Sequence, residues 1–138
     1  MTAQLVNCCR NKSVMCRLRS IGGLVLIDNE LCVQLLKDEI ETKGKIRLTV
    51  HGDSMLPLLK DGHIITIEKC NQYNIGDIVA YCTIIENKLN IIVHRVIFAR
   101  TTHILAKGDN NSFIDPLKIQ LSNILGKFDV RGLNAEIK

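Results

Sequence analysis

Lys45-Ile46-Arg47-Leu48-Thr49-Val50-His51 alternates apolar and polar residues without a break, and its period decides the fold. Ile46, Leu48 and Val50 fall on one side, with Lys45, Arg47, Thr49 and His51 on the other, as in a half-buried strand. The same signal recurs downstream. Residues 64–68 predict a second strand, entered through the turn residues Lys60-Asp61-Gly62. Residues 78–82 follow a Gly76-Asp77 turn, 89–99 follow Glu86-Asn87-Lys88, and 103–107 stop at Gly108-Asp109-Asn110-Asn111. Residues 119–124 predict a short turn or helix, and 125–130 a closing strand.

Upstream of Gly44 the period changes. Leu31, Leu35 and Ile40 are interleaved with Gln34, Lys37, Asp38, Glu39 and Glu41, which predicts a short amphipathic helix over 29–42. Asn29 is placed to cap its first turn, and Gly44 to end it. Residues 1–20 show no sustained period and are expected to form a loose or partner-dependent lead. The fold expected is mainly β: a compact, antiparallel domain over 45–138, preceded by a lead over 1–44 whose one helix packs on or before it.

Composition narrows the function. The chain has 138 residues, 46% hydrophobic and 23% charged, with two prolines, so it can build one modest core and is not generally disordered. The best candidate for a membrane span, Ile21-Gly22-Gly23-Leu24-Val25-Leu26-Ile27, runs into Asp28 and Glu30 and falls far short of a bilayer. The first residues lack the pattern of a secretory signal, so a soluble, cytoplasmic protein is expected. A net charge of +4 is ordinary for solubility, and two tyrosines with three phenylalanines offer few stacking platforms. No specific nucleic acid is expected, beyond weak attraction of anionic surfaces to Arg10, Lys12, Arg17 and Arg19. The cysteines at 8, 9, 16, 32, 70 and 82 lack C-x-x-C spacing, so reduced thiols are expected, with neither metal nor cofactor.

Three segments can carry chemistry. In His51-Gly52-Asp53-Ser54-Met55-Leu56-Pro57, a serine follows an abrupt turn at the end of a strand. Such a turn can hold a hydroxyl and a backbone N–H toward the same space, as a nucleophile requires, although Gly, Asp and Ser are also ordinary turn residues. His94 shares a face with Ile92 and Val96 if 91–97 is one strand, so it is either a hydrogen-bonded core residue or a base held toward a cleft. Arg95 points the other way and suits an ion pair. Asp109 and Asp115 flank a Gly/Asn-rich loop, and either can orient a histidine or tie its own turn.

In their order, Gly52-Asp53-Ser54-Met55-Leu56-Pro57, Asp61-Gly62, Gly76-Asp77-Ile78-Val79, His94-Arg95-Val96 and Gly108-Asp109-Asn110-Asn111 with Asp115 resemble the type I signal peptidase superfamily. That superfamily (S24/S26) includes the self-cleaving LexA-like repressors, and the resemblance covers roughly residues 45–130. His94-Arg95 places the chain with its histidine-base branch. The resemblance implies a coiled, mostly antiparallel β fold in which Ser54 is the nucleophile and His94 the general base. Asp115 would orient that base, with Asp109 supporting the loop or sharing the role. It also implies that an extended peptide lies beside the strand leading into the serine, against Leu48, Thr49, Val50, His51, Gly52 and Asp53, with Met55 packed beneath.

Three departures bear on function. No membrane anchor is evident in the sequence. Gly52 stands where many members carry a hydroxyl that completes the oxyanion hole. The residues before 45 show no helix-turn-helix of the repressor kind. The expected function is therefore a soluble serine endopeptidase that cuts an extended peptide or small precursor protein through an acyl-enzyme. The alternative is a peptide-binding module with little or no turnover; self-cleavage within 32–44 is a third possibility.

Overall fold

In the computed structural model, which describes residues 3–5, 14–18, 23–27 and 29–130 with side chains from residue 30 onward, the alternating stretches pair into an antiparallel sheet of seven strands. Three strands stand ahead of it: β1 (Ala3–Leu5), β2 (Val14–Leu18) and β3 (Gly23–Ile27) form a separate antiparallel sheet in that order. A loose or partner-dependent lead is expected over 1–20, whereas the residues described there, 3–5 and 14–18, are strands. Cross-strand pairing along β2, from Val14 opposite Ile27 to Leu18 opposite Gly23, supplies the order that no local period announces. Cys8, Cys9, Arg10, Lys12 and Arg19 lie outside the described residues.

Helix α1 (Asn29–Lys43) follows, and the Gly44 N–H closes it onto the Ile40 carbonyl at 2.8 Å. Cys32, Leu36 and Ile40, spaced four apart, are its buried stripe. The segment once open to self-cleavage is thus helical over most of its length, and an extended-strand substrate would first have to unwind it.

The main sheet comprises β4 (Lys45–Thr49), β5 (Ile64–Glu68), β6 (Ile78–Ile85), β7 (Lys88–Ala99), β8 (His103–Lys107), β9 (Ile119–Gln120) and β10 (Ile124–Phe128). Their order across the sheet is β4-β5-β10-β6-β7-β8-β9. The predicted turn or helix at 119–124 divides into β9 and one 3₁₀ turn, Leu121–Asn123.

β6 is the centre of the molecule because both its faces are covered. Ile78, Ala80 and Cys82 join Leu36, Ile40, Ile46, Ile65, Ile67 and Leu89 under α1. Val79 and Tyr81 face the other way, into a second cluster with Val96, Ile104, Ala106, Ile119 and Ile124. A strand buried on both sides shows a continuous apolar run, as Ile78-Val79-Ala80-Tyr81-Cys82 does. β6 and β7 are joined by the two-residue turn Glu86-Asn87, whose φ values of 52° and 63° suit the twist of a tight hairpin. That turn fixes the register from Ile85 opposite Lys88 to Ile78 opposite Arg95. Among the described residues no helix is long and apolar enough to cross a membrane.

Candidate active site

Hairpin register puts His94 opposite Val79, and directly opposed residues share a face. Its ring therefore lies on the side of the sheet that carries Val79, Tyr81 and Val96, and it is 7% exposed, the one buried polar residue among those described. Arg95, next in sequence, points away and forms an ion pair. Its Nε and Nη2 each donate to the Asp109 carboxylate at 2.8 Å, and Nη1 donates to the Gly76 carbonyl at 2.9 Å. The guanidinium holds the Asp109 carboxyl below the usual carboxylate range.

Ser54 reaches the histidine from the loop between β4 and β5. Gly52 has a φ of 85°, a left-handed turn that L-residues adopt at a cost, and its N–H donates to Asp61 Oδ1 at 2.8 Å. The Leu56 N–H then bonds the Asp53 carbonyl and the Leu59 N–H the Met55 carbonyl, so the serine opens a tight turn. From the other side the loop after β8 clasps it. The Asn110 N–H donates to the Ser54 carbonyl at 2.8 Å, and Asn110 Nδ2 donates to the Asp53 carbonyl at 3.1 Å. This double contact brings Ser54 Oγ to 3.1 Å from His94 Nε2, across forty residues of sequence.

The other ring nitrogen meets Asp115. Nδ1 stands 2.7 Å from Oδ2 and 2.9 Å from Oδ1, which fixes the tautomer with its proton on Nδ1 and a lone pair on Nε2 toward the serine. The Asp115 N–H donates to the Ala106 carbonyl and anchors the loop at that point. Of the two acids left open by the sequence, Asp115 touches the histidine, while Asp109 is engaged by Arg95. Of the two roles the resemblance left to Asp109, supporting the loop or sharing the orientation of His94, its contacts with Arg95 fit the first. His94 and Arg95 alternate faces of β7, and each face selects its own acid.

Two contributors were missed. Gly108 is buried and passes so close to the site that a Cβ there would lie 2.7 Å from the Ser54 carbonyl oxygen and 3.0 Å from His94 Nε2. Tyr81, 4% exposed, donates its hydroxyl to Asp115 Oδ2 at 2.6 Å. A sequence signal for Tyr81 existed: a two-residue turn at Glu86-Asn87 sets Val79 against His94 and leaves Tyr81 on the same face.

The expected substrate-side residues are distributed unevenly. β4 is an edge strand, hydrogen-bonded among the described residues to β5. The Val50 N–H bonds the His63 carbonyl and its carbonyl receives the Gly62 N–H, so alternation turns the backbone groups of Thr49 outward. Thr49, His51, Gly52 and Asp53 are exposed along this edge, and Leu48 is half-buried. Val50 and Met55 face the core, and Met55 Sδ accepts the Asp109 N–H at 3.4 Å. Met55 thus supports the site from below and is not positioned to meet a ligand. Among the described residues no three His, Cys, Asp or Glu side chains are grouped to hold a metal ion.

A family model described as Peptidase S24-like matches residues 23–129, which includes α1 and all seven strands of the main sheet. No curated protein and no solved structure matches the chain.

Proposed function

The chain belongs to the S24-like peptidase family, and from that membership and the geometry around Ser54 we propose that it is a serine endopeptidase acting on an extended peptide or small precursor in the cytoplasm. The observation that carries the proposal is the continuous contact from Ser54 Oγ through the His94 ring to the Asp115 carboxylate. His94 Nε2 takes the hydroxyl proton as Ser54 Oγ attacks the peptide carbonyl. Asp115 stabilises the imidazolium that forms, which returns its proton to the leaving amine. A water activated by the same nitrogen then releases the acyl product. The substrate adds as a strand along the open edge of β4, with backbone hydrogen bonds near Thr49, and so reaches Ser54 extended.

Gly52 favours a second reading, a binding module with slow turnover, because no side chain at that position adds a donor for the oxyanion. One experiment separates the two. The wild type, S54A, H94A and D115N are incubated with a peptide library and followed by intact mass and product sequencing. Cleavage lost in S54A and H94A, and reduced about 10⁴-fold in D115N, supports the peptidase. Peptides retained by all four proteins but cut by none support the module.

A further inference from the structure

We propose that Tyr81 is a positioning residue for the His94–Asp115 pair: its buried hydroxyl fixes the Asp115 carboxylate against His94 and, by sharing that carboxylate's charge, sets the basicity of the imidazole. The inference deepens the peptidase reading and rests on His94 acting as its base.

Asp115 sits on an exposed loop. Phe113, Ile114, Pro116 and Leu117 around it are all solvent-facing, and Phe113 is 84% exposed. A carboxylate on such a segment is a poor anchor for a catalytic ring, which needs placement to a fraction of an ångström. Tyr81 comes from β6, the strand covered on both faces, and reaches Asp115 Oδ2 at 2.6 Å, the short distance of a charge-assisted hydrogen bond. A strand covered on both faces thereby fixes a carboxylate carried on a loop.

The need for that anchor is visible beside it. A cavity of about 670 Å³ opens at Asp115 and Tyr81, walled in part by Ile92, Leu117, Lys118 and Ile119. Without the phenol, Asp115 keeps His94 as its partner but loses its second anchor on the side facing this space. Burial and the neighbouring carboxylate raise the Tyr81 phenol far above its ordinary value, so it remains a donor throughout the range in which a histidine titrates.

Tyr81 and His94 meet the same oxygen, Oδ2. Removing the phenol therefore leaves that oxygen's charge to the imidazole alone. The other charged groups near the pair are Asp109 and Lys107 from β8 and its loop, Arg95 from β7 and Lys118 on the cavity wall. Arg95 largely offsets Asp109, and none of them touches Asp115 as Tyr81 does.

The test is Y81F, which keeps the ring and removes the hydroxyl. Two readouts are followed against pH: the His94 ring resonances, assigned by comparison with H94A, and kcat and KM for a cleaved peptide. In Y81F the His94 titration moves up by about half a unit or more, and the acid limb of kcat/KM moves up with it because the base must be neutral. kcat falls on the order of tenfold with KM unchanged. In a D115N background, adding Y81F leaves the His94 titration where D115N put it. Fluorotyrosine at position 81 in a Y73F chain, a stronger donor, shifts the titration down and covers the case in which Y81F does not fold. An unmoved His94 titration in folded Y81F, or an equal movement in D115N, overturns the proposal. If the wild type cuts no peptide, the peptidase reading fails, while the resonance titration still decides the role of Tyr81.

Discussion

Gly108→Ala tests the site through a single methyl group. In the structure that methyl would stand 2.7 Å from the Ser54 carbonyl oxygen, 2.7 Å from Asn111 Nδ2 and 3.0 Å from His94 Nε2. Comfortable carbon–oxygen contact is about 3.3–3.6 Å, so something must move by roughly 0.6–0.9 Å. The Asn111 amide can turn aside, but the Ser54 carbonyl is held by the Asn110 N–H at 2.8 Å, and the imidazole is held by Asp115. Relief therefore separates the loop from Ser54 or tilts the ring, and the 3.1 Å contact between Oγ and Nε2 opens. A misplacement of about 1 Å costs around 100-fold in rate, and overpacking costs about 1–3 kcal/mol in stability. Peptide cleavage or labelling of Ser54 by a fluorophosphonate would be measured beside thermal unfolding. The expectation is a loss of about 100-fold in either rate with a Tm lower by roughly 5–10 °C. A G108A protein within twofold of the wild type in rate would refute the close approach and the catalytic geometry built on it.

Thr49→Pro removes an N–H from the open edge of β4, where proline is tolerated, so the protein should fold while KM for an extended peptide rises on the order of tenfold; unchanged KM would move the substrate elsewhere. Gly52→Ser meets open space, yet adopts a φ of 85°. If its hydroxyl supplies an oxyanion donor, kcat rises by about tenfold or more while unfolding shows a loss of about 1 kcal/mol. Asp109 has a folded pKa below its ordinary 3.8, so its ion pair contributes fully above that value and fades as pH falls through the folded one. Acid unfolding of D109N should therefore be flatter below about pH 4 than that of the wild type, with a deficit on the order of 1 kcal/mol at pH 7.

Much of the sheet was legible because turns and periods agree locally. Residues 64–68 and 103–107 form β5 and β8 over the predicted bounds, each framed by its own turn residues. The helix ends within one residue of its predicted position. The strands ahead of it were not legible, because Val14–Leu18 mixes Arg17 into an apolar run and owes its order to neighbours distant in sequence. The same division runs through the site. Local context leaves Ser54 and His94 each with an ordinary reading and the order of the motifs singles them out, but choosing between Asp109 and Asp115 needs the face of β7 that each acid meets. Gly108 shows itself only as an absent side chain, and Tyr81 only when the hairpin register is followed back from its turn.

The serine and the histidine belong to parts of the sheet that are not sequence neighbours. Ser54 hangs from β4 and β5, while His94 and Tyr81 belong to the β6–β7 hairpin, and β10 lies between the two groups although it is the last strand of the sheet along the chain. A ribosome makes β10 last. Until Ile124–Phe128 emerges and inserts, no strand pairing joins the strands carrying Ser54 to those carrying His94, and the clasp of Asn110 on the serine turn is left to link them. On the proposed peptidase reading, the nascent protein thereby lacks the full sheet around its site while its own unfolded segments are the peptides nearest at hand.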